Sequence, residues 1–263
     1  PLPGPLAHTL ALLAMTVATT DTEVVTLDMA PNSFDDQYQG CGPAMTKELP
    51  ALNRSELQRN RQFSQGWKKA MAEWQRRGSR VSPLSSPDRA IALMAYSMGH
   101  LHKEFNPAVR EAGRSRREYR DKFHFKALHF LLTQALQKLR DARGQKCHDV
   151  FRRVRNVRFE AKRGDTVRFG QFASSSLSID VAHGYGTDTV FQVYTCHGVD
   201  IRDFSYDPGK KEVLIPPFET FEVTGLTQEG NKTQIQLRST GTHSNYNCKW
   251  LRGDLMGTTW EKR

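Results

Sequence analysis

The residues best placed to do chemistry are one carboxylate and a run of hydroxyls. Glu212 stands directly before Val213-Leu214-Ile215, a branched apolar run stopped by Pro216 and Pro217. Such a run reads as a short buried strand. A carboxylate at its lip is held rigidly and partly shielded from water, which suits a group that meets positive charge as it develops in a reaction. A solvated glutamate at the start of a strand fits the same pattern, so the pattern alone leaves both readings open. Ser174, Ser175 and Ser176 end a second strand-like stretch, which runs through Thr166, Val167, Arg168, Phe169, Gly170, Gln171 and Phe172. Other constellations are missing. The four cysteines, Cys41, Cys147, Cys196 and Cys248, are dispersed, without the close pairs of a zinc site. No G-x-G-x-x-G loop follows a strand, so a Rossmann dinucleotide site is excluded.

The order of the pieces carries more than any one of them. Phe169-Gly170-Gln171-Phe172-Ala173-Ser174-Ser175-Ser176 precedes Glu212-Val213-Leu214-Ile215-Pro216-Pro217-Phe218-Glu219. Upstream lie Met29-Ala30-Pro31-Asn32-Ser33-Phe34-Asp35-Asp36-Gln37-Tyr38-Gln39-Gly40-Cys41 and Phe123-His124-Phe125-Lys126-Ala127-Leu128-His129-Phe130; downstream lies Tyr246-Asn247-Cys248. This set resembles the vertebrate ecto-mono-ADP-ribosyltransferases, the arginine-modifying family, and its details look most like the avian members. The resemblance covers about residues 24–252.

The resemblance implies a reaction and roles. NAD is the substrate: its nicotinamide–ribose bond breaks through an oxocarbenium-like transition state and ADP-ribose passes to an arginine guanidinium. No metal is implied. Glu212 matches the family's catalytic glutamate, which binds the ribose 2′-hydroxyl and stabilises the cation. Arg153, in Val150-Phe151-Arg152-Arg153-Val154, matches the strand arginine that grips phosphates and ribose, a task for a planar, permanently charged fork. Arg152 leaves the register open by one, since strand alternation turns only one of the two toward a cleft. Ser174 matches the serine that orients the glutamate, and Gln171 and Ser205 are expected to line the same cleft. Tyr96 is a candidate to stack on the ligand, with a core tyrosine as the other reading. The acceptors implied are arginine-bearing proteins or small guanidines. One position departs from the family: Lys210 stands where arginine-specific members carry the first carboxylate of Glu-x-Glu. A lysine there repels a cationic acceptor. It brings in the alternatives of an NAD glycohydrolase or a non-catalytic cell-surface relative.

The resemblance, with the cysteines flanking its motifs, predicts disulfides Cys41–Cys248 and Cys147–Cys196. An even, dispersed set of cysteines fits an oxidising compartment. The apolar run at 10–18 reads as the core of a signal peptide over 1–20 that lacks its first residues, with a single transferase domain over 21–263. A secreted protein or one on the outer face of the membrane is expected; no hydrophobic tail of the kind replaced by a GPI anchor is visible at 260–263. Asn53 and Asn231 head N-x-S/T sequons, expected on surface loops.

The elements that must position these residues change period half-way. A strand over 23–29 precedes helical patterns over 56–76, 88–97, 106–114 and 119–143. Strands follow over 149–154, 165–172, 189–196, 211–215, 218–224 and 233–237. Helices first and strands after predict an α+β fold; mixed and antiparallel sheets around an NAD cleft come from the resemblance. The 263 residues, 38% hydrophobic, suffice for a core and exclude a disordered chain. The formal charge of +10 points to anionic surfaces such as heparin-like chains, with no specific nucleic acid implied.

Overall fold

The computed structural model describes residues 22–182 and 188–254. The expected signal peptide and the polar segment 260–263 lie outside the described residues. The chain is α+β, as its sequence predicts. Strand β1 (Glu23–Thr26) pairs in parallel with β3 (Val157–Glu160), beside the main sheet.

The helical half departs from its predicted boundaries for local reasons. The helix expected over 56–76 is two, α1 (Gly42–Arg59) and α2 (Arg61–Arg76). Asn60 leaves helical geometry between them, and its side chain accepts the Phe63 N–H at 3.0 Å as an N-cap. Pro43 and Pro50 concealed α1 from a propensity reading. Helix α3 (Pro87–Ser97) falls where expected, and α4 (His102–Ala112) begins a turn earlier than its pattern suggested. The long helix expected over 119–143 is a π-turn, Glu118–Lys122, followed by α5 (Lys126–Ala142). Glu56 of α1 fixes that start. Its buried carboxylate accepts the Lys126 and Ala127 N–H groups at 2.8 and 2.6 Å, where a helix leaves donors open.

The main sheet has eight strands. Their order is β4 (Thr166–Val167), β9 (Glu219–Glu229), β10 (Lys232–Thr242), β6 (Thr189–Thr195), β2 (His148–Val154), β5 (Ala173–Ser176), β8 (Glu212–Ile215) and β7 (Val199–Asp200). Strands β10 and β6 run parallel, and the other neighbours antiparallel. The strand expected over 165–172 stops at Val167. Arg168 turns inward there, and Gly170 takes φ +68°, a left-handed turn that glycine adopts freely. Alternation along β8 serves both cores: Leu214 joins the helical cluster with Phe105, Phe172 and Leu131, while Val213 and Ile215 join Val150, Phe191 and Phe221 on the other face.

The motif at 29–41 wires these parts together. Asp35 and Arg168 form an ion pair at 2.6 Å with both side chains fully buried. Arg168 also donates to the carbonyls of Met29, Ala30 and His243, and Asp35 accepts the N–H groups of Asn245 and Tyr246. Asp36 accepts from Tyr38, Cys248 and Lys249. The Tyr38 hydroxyl meets His129 Nδ1 at 2.7 Å, and His129 Nε2 meets the Phe34 carbonyl at 2.9 Å. Both expected disulfides are present. Cys41–Cys248 joins residues 207 apart, and Cys147–Cys196 joins residues 49 apart. On a chain-entropy view the longer link restrains the unfolded chain by about 5 kcal/mol.

Two predictions follow from this wiring. Asp35→Asn keeps the shape but leaves the Arg168 charge buried and uncompensated, so it should cost about 3–5 kcal/mol in urea unfolding; a loss under about 1 kcal/mol would show that the pair is dispensable. His129 is neutral because burial disfavours its charged form; the Phe34 carbonyl only accepts, so Nε2 carries the proton and Nδ1 accepts from the Tyr38 hydroxyl. Burial pushes its pKa from 6.5 down to about 3, against the opposing bond to Phe34. The unfolded chain therefore takes up this proton first as pH drops below 6.5. The stability involved is fully present above 6.5 and is lost toward pH 3. His129→Gln should flatten the fall of unfolding free energy between pH 6 and 4 by up to about 1.4 kcal/mol per pH unit; an unaltered slope contradicts this assignment.

Candidate active site

The sheet opens where β2 and β5 part. They pair through one register position, Phe151 with Ser176, and Ser176 in turn pairs with Glu212 of β8. A cleft of about 310 Å³ lies there, lined by Tyr96, His102, Asn106 and Arg110 on the helical side and by Arg152, Arg153, Gln171, Ser174, Lys210 and Glu212 on the strand side.

The serine cluster divides its work. Ser174 Oγ donates to Glu212 Oε1 at 2.6 Å, which fixes the carboxylate. Ser175 Oγ donates to the Val213 carbonyl and Ser176 Oγ to the Lys210 carbonyl, which locks the approach to β8. That approach is a tight 3₁₀ turn, Pro208–Lys210, in which Asp207 accepts the Gly209 N–H, followed by Lys211 at φ +47°. Strand β8 therefore starts at Glu212, one residue later than expected. Lys210 lines the cleft with Glu212 because of this turn, and not because the segment is extended.

Glu212 is only 8% exposed. Burial raises its pKa above the ordinary carboxylate value. The Ser174 hydroxyl, then the charges of Lys210 and Arg152, pull it back. The cleft is otherwise cationic. Burial lowers the pKa of His102, and the positive charges of Arg152, Lys103, Lys210 and His100 lower it further. Arg110 donates to the Gln171 side-chain oxygen across the mouth.

Strand parity puts Arg153 on the face of Phe151, the residue in register with Ser176 and thereby with Glu212. Arg152 belongs to the opposite face, yet it reaches the cleft as well. Its Nη1 donates to the Ser174 carbonyl at 2.8 Å, and its guanidinium lies 5.8 Å from the centre of the Phe169 ring. The expectation that only one of the two faces the cleft is corrected: the parted strands admit both.

Two further expectations are corrected. Ser205 is not among the cleft-lining residues. It is 1% exposed, its hydroxyl turns to the Arg202 carbonyl, and its own carbonyl accepts from Arg77. Tyr96 edges the cleft but offers no open face for stacking. It is 1% exposed among His102, Phe105 and Phe172, donates to the Phe172 carbonyl and accepts from Asn106. Burial first, opposed by the Asn106 bond, pushes its pKa up to about 12. The α4 residues His102, Lys103, Asn106 and Arg110 were missed. Their spacing places them along one helix stripe, but the first turn of α4 was not recognised. Among the described residues, no cluster of His, Cys, Asp and Glu could hold a metal.

The family model described as NAD:arginine ADP-ribosyltransferase matches residues 27–245. The chain is 53% identical over 231 residues to the erythroblast NAD(P)(+)--arginine ADP-ribosyltransferase of Gallus gallus, covering 87% of this chain and 77% of that one. It is 49% identical over 238 residues to the GPI-linked NAD(P)(+)--arginine ADP-ribosyltransferase 1 of Mus musculus, covering 86% and 73%. Among solved structures, a mutant of the eukaryotic mono-ADP-ribosyltransferase ART2.2 in complex with NAD superposes with a TM-score of 0.75 at 38% identity, covering 85% of this chain and 98% of that one.

The geometry of Glu212 generates a prediction for NAD cleavage. Its raised pKa means that protonation removes the anion at a pH above the usual carboxylate range of about 4.3. Nicotinamide release should fall on an acid limb above that value, and Glu212→Gln should lower turnover by about 10²–10³ while erasing the limb. Equal turnover in the variant would reduce Glu212 to a strand-edge carboxylate.

Proposed function

The chain belongs to the NAD:arginine ADP-ribosyltransferase family, and from this premise we propose the assignment of roles within its cleft. The enzyme is an NAD-dependent mono-ADP-ribosyltransferase. The bond between nicotinamide and ribose breaks, nicotinamide leaves, and the ribose carbon bonds to a nitrogen of an arginine guanidinium, whose proton passes to solvent. The observation that carries the assignment is the Ser174–Glu212 hydrogen bond inside a cation-lined cleft.

Glu212 faces the ribose and stabilises the positive charge that grows on it, an interaction strongest in the transition state. Ser174 holds that carboxylate in one orientation. Arg153 grips the diphosphate and ribose with its fork. Arg152, tied to the Ser174 carbonyl, positions the serine and helps to pull the Glu212 pKa back down. Gln171 and Arg110 meet at the mouth and contact the far half of NAD. Arginine-bearing proteins and small guanidines are the acceptors.

The two disulfides, and the GPI-linked naming of a relative, support a place on the outer surface of the cell. No described helix is long and apolar enough to cross a membrane. Asn231 sits exposed in the turn between β9 and β10, as an N-glycan acceptor needs. Asn53 lies within α1 with its Oδ1 buried, not on the loop expected for it, and is the poorer acceptor.

A second reading is favoured by Lys210. An ammonium beside Glu212 opposes a guanidinium but not water, so hydrolysis of NAD competes with transfer. At about 4 Å two unit charges interact by roughly 1 kcal/mol in water and about 4 at an effective dielectric of 20. The test incubates labelled NAD with and without agmatine and resolves ADP-ribosyl-agmatine from free ADP-ribose. Lys210→Glu should raise the transfer-to-hydrolysis ratio about tenfold or more. Efficient transfer by the unmodified chain, with no change in the variant, shows that Lys210 does not select the acceptor.

A further inference from the structure

We propose that a second pocket, remote in its lining from the cleft, binds a sulfate group of an anionic polysaccharide. It lies between the C-terminal half of α1, the segment 116–126 and Trp250, has a volume of about 270 Å³, and shares no lining residue with the cleft. The proposal rests on the extracellular reading above only for the identity of the polyanion.

The chemistry of the pocket is that of an oxyanion site. Arg59, Arg116, Arg120, His124 and Lys126 line it with one carboxylate, Glu56; a second carboxylate, Asp121, stands outside the lining and pairs with Arg120 at 2.7 Å. Both oxygens of the Glu56 carboxylate are taken by the first N–H groups of α5. Burial lowers the pKa of His124, and Lys126 and Arg59 add to the lowering, which marks a net positive field inside the pocket. Trp250 contributes the second, independent feature. Its indole Nε1 is buried at the pocket wall with no hydrogen-bond partner among the described residues. An indole N–H only donates, and a buried donor without an acceptor is costly. An anionic oxygen satisfies it and the guanidinium forks around it together.

Size and surroundings choose the ligand. The pocket is below the roughly 300–1,000 Å³ of sites for drug-sized molecules, so it suits one charged group of a larger chain. Exposed Arg54, Arg61, Arg114, Arg117 and Lys122 belong to the same elements or adjoin them in sequence. Arg114 and Lys122 already pair with Glu118 at 2.7 Å, so Arg54, Arg61 and Arg117 supply the further contacts for a repeating polyanion. One side of the Trp250 ring meets Lys126 Nζ, 5.8 Å from its centre, which disfavours use of the indole as a base-stacking platform for nucleic acid. Sulfate and phosphate esters share the required chemistry; in the oxidising compartment that the disulfides indicate, sulfated polysaccharide is the available polyanion.

The test uses the full chain and measures binding of a size-defined heparin octasaccharide by calorimetry at several salt concentrations. The unmodified protein should bind with affinity that falls as salt rises. Arg59→Ala with Arg120→Ala should weaken binding about tenfold or more, the equivalent of a lost charge-assisted hydrogen bond. Trp250→Phe, which keeps the ring and removes the donor, should weaken it several-fold. Lys162→Ala with Arg163→Ala removes the same charge from an exposed loop elsewhere and should change binding less than about twofold. Melting temperatures establish that each variant is folded, and NAD cleavage should be unaltered in all of them. Equal weakening by the two double variants would mean diffuse charge and overturn the proposal. So would tighter binding of a single-stranded oligodeoxynucleotide of similar charge, or no binding of the octasaccharide. Failure of NAD cleavage in the unmodified protein bears on the cleft and leaves this result standing.

Discussion

The structure depends first on one buried charge pair. Asp35 and Arg168 are both fully removed from water, and a pair in that position stabilises a fold only if its remaining donors and acceptors are also satisfied. They are. Arg168 spends its other N–H groups on Met29, Ala30 and His243, and Asp35 takes the N–H groups of Asn245 and Tyr246. Three chain segments, around 29–35, 168 and 243–246, are thereby fixed to one point. The consequence for the cleft is direct. Because Arg168 must turn inward, the strand at Thr166–Val167 ends there, Gly170 reverses the chain, and Gln171 and Ser174 emerge on the wall beside Glu212. A structural salt bridge thus sets the position of residues assigned to chemistry.

The order of motifs in the sequence consequently mixes two kinds of residue. Within 29–41, Ser33, Asp35, Asp36 and Tyr38 all bond to distant backbone or side chains, and none of them lines the cleft. His129, from a second motif, is part of the same wiring. Glu212 and Ser174 instead line the cleft and bond to each other, a pairing legible from a carboxylate before a branched apolar run and a serine cluster once the order of the motifs is known. The fold class was legible from the change of hydrophobic period at mid-chain.

What escaped the sequence has physical causes. Helix α1 carries two prolines, which propensity penalises, although one lies in the first turn, where it costs little, and tertiary packing of Met45, Leu49 and Leu52 offsets the other. The breaks before α2 and α5 are set by side chains, Asn60 and Glu56, whose partners are defined only in three dimensions. The choice between Arg152 and Arg153 assumed a continuous ladder in which only one could face the cleft; β2 and β5 separate after a single pair, and both residues line it. Ser205 was misplaced because a polar residue in a loop carries no sign of where the loop folds, and here Arg77 ties it away from the cleft. Tyr96 was split between core and ligand, and an aromatic at helical spacing beside Phe172 went to the core.

The remaining tension lies between Lys210 and the arrangement that serves Glu212. A carboxylate buried at a strand lip tends to take up a proton, and a neutral Glu212 has little to offer a growing ribose cation. Ser174, Lys210 and Arg152 all act to keep it charged. A carboxylate at position 210 would reverse one of those three influences while attracting a guanidinium. Under the roles proposed for the cleft, the lysine favours the first half of the reaction, cleavage of NAD, through the same charge that opposes the second half with a cationic acceptor. Both effects obey the same distance law, so the balance between transfer and hydrolysis is set by where the acceptor approaches. A guanidinium that comes in along Ser174 and Glu212 meets an anion before an ammonium; one that follows the Pro208–Lys210 turn meets the ammonium first.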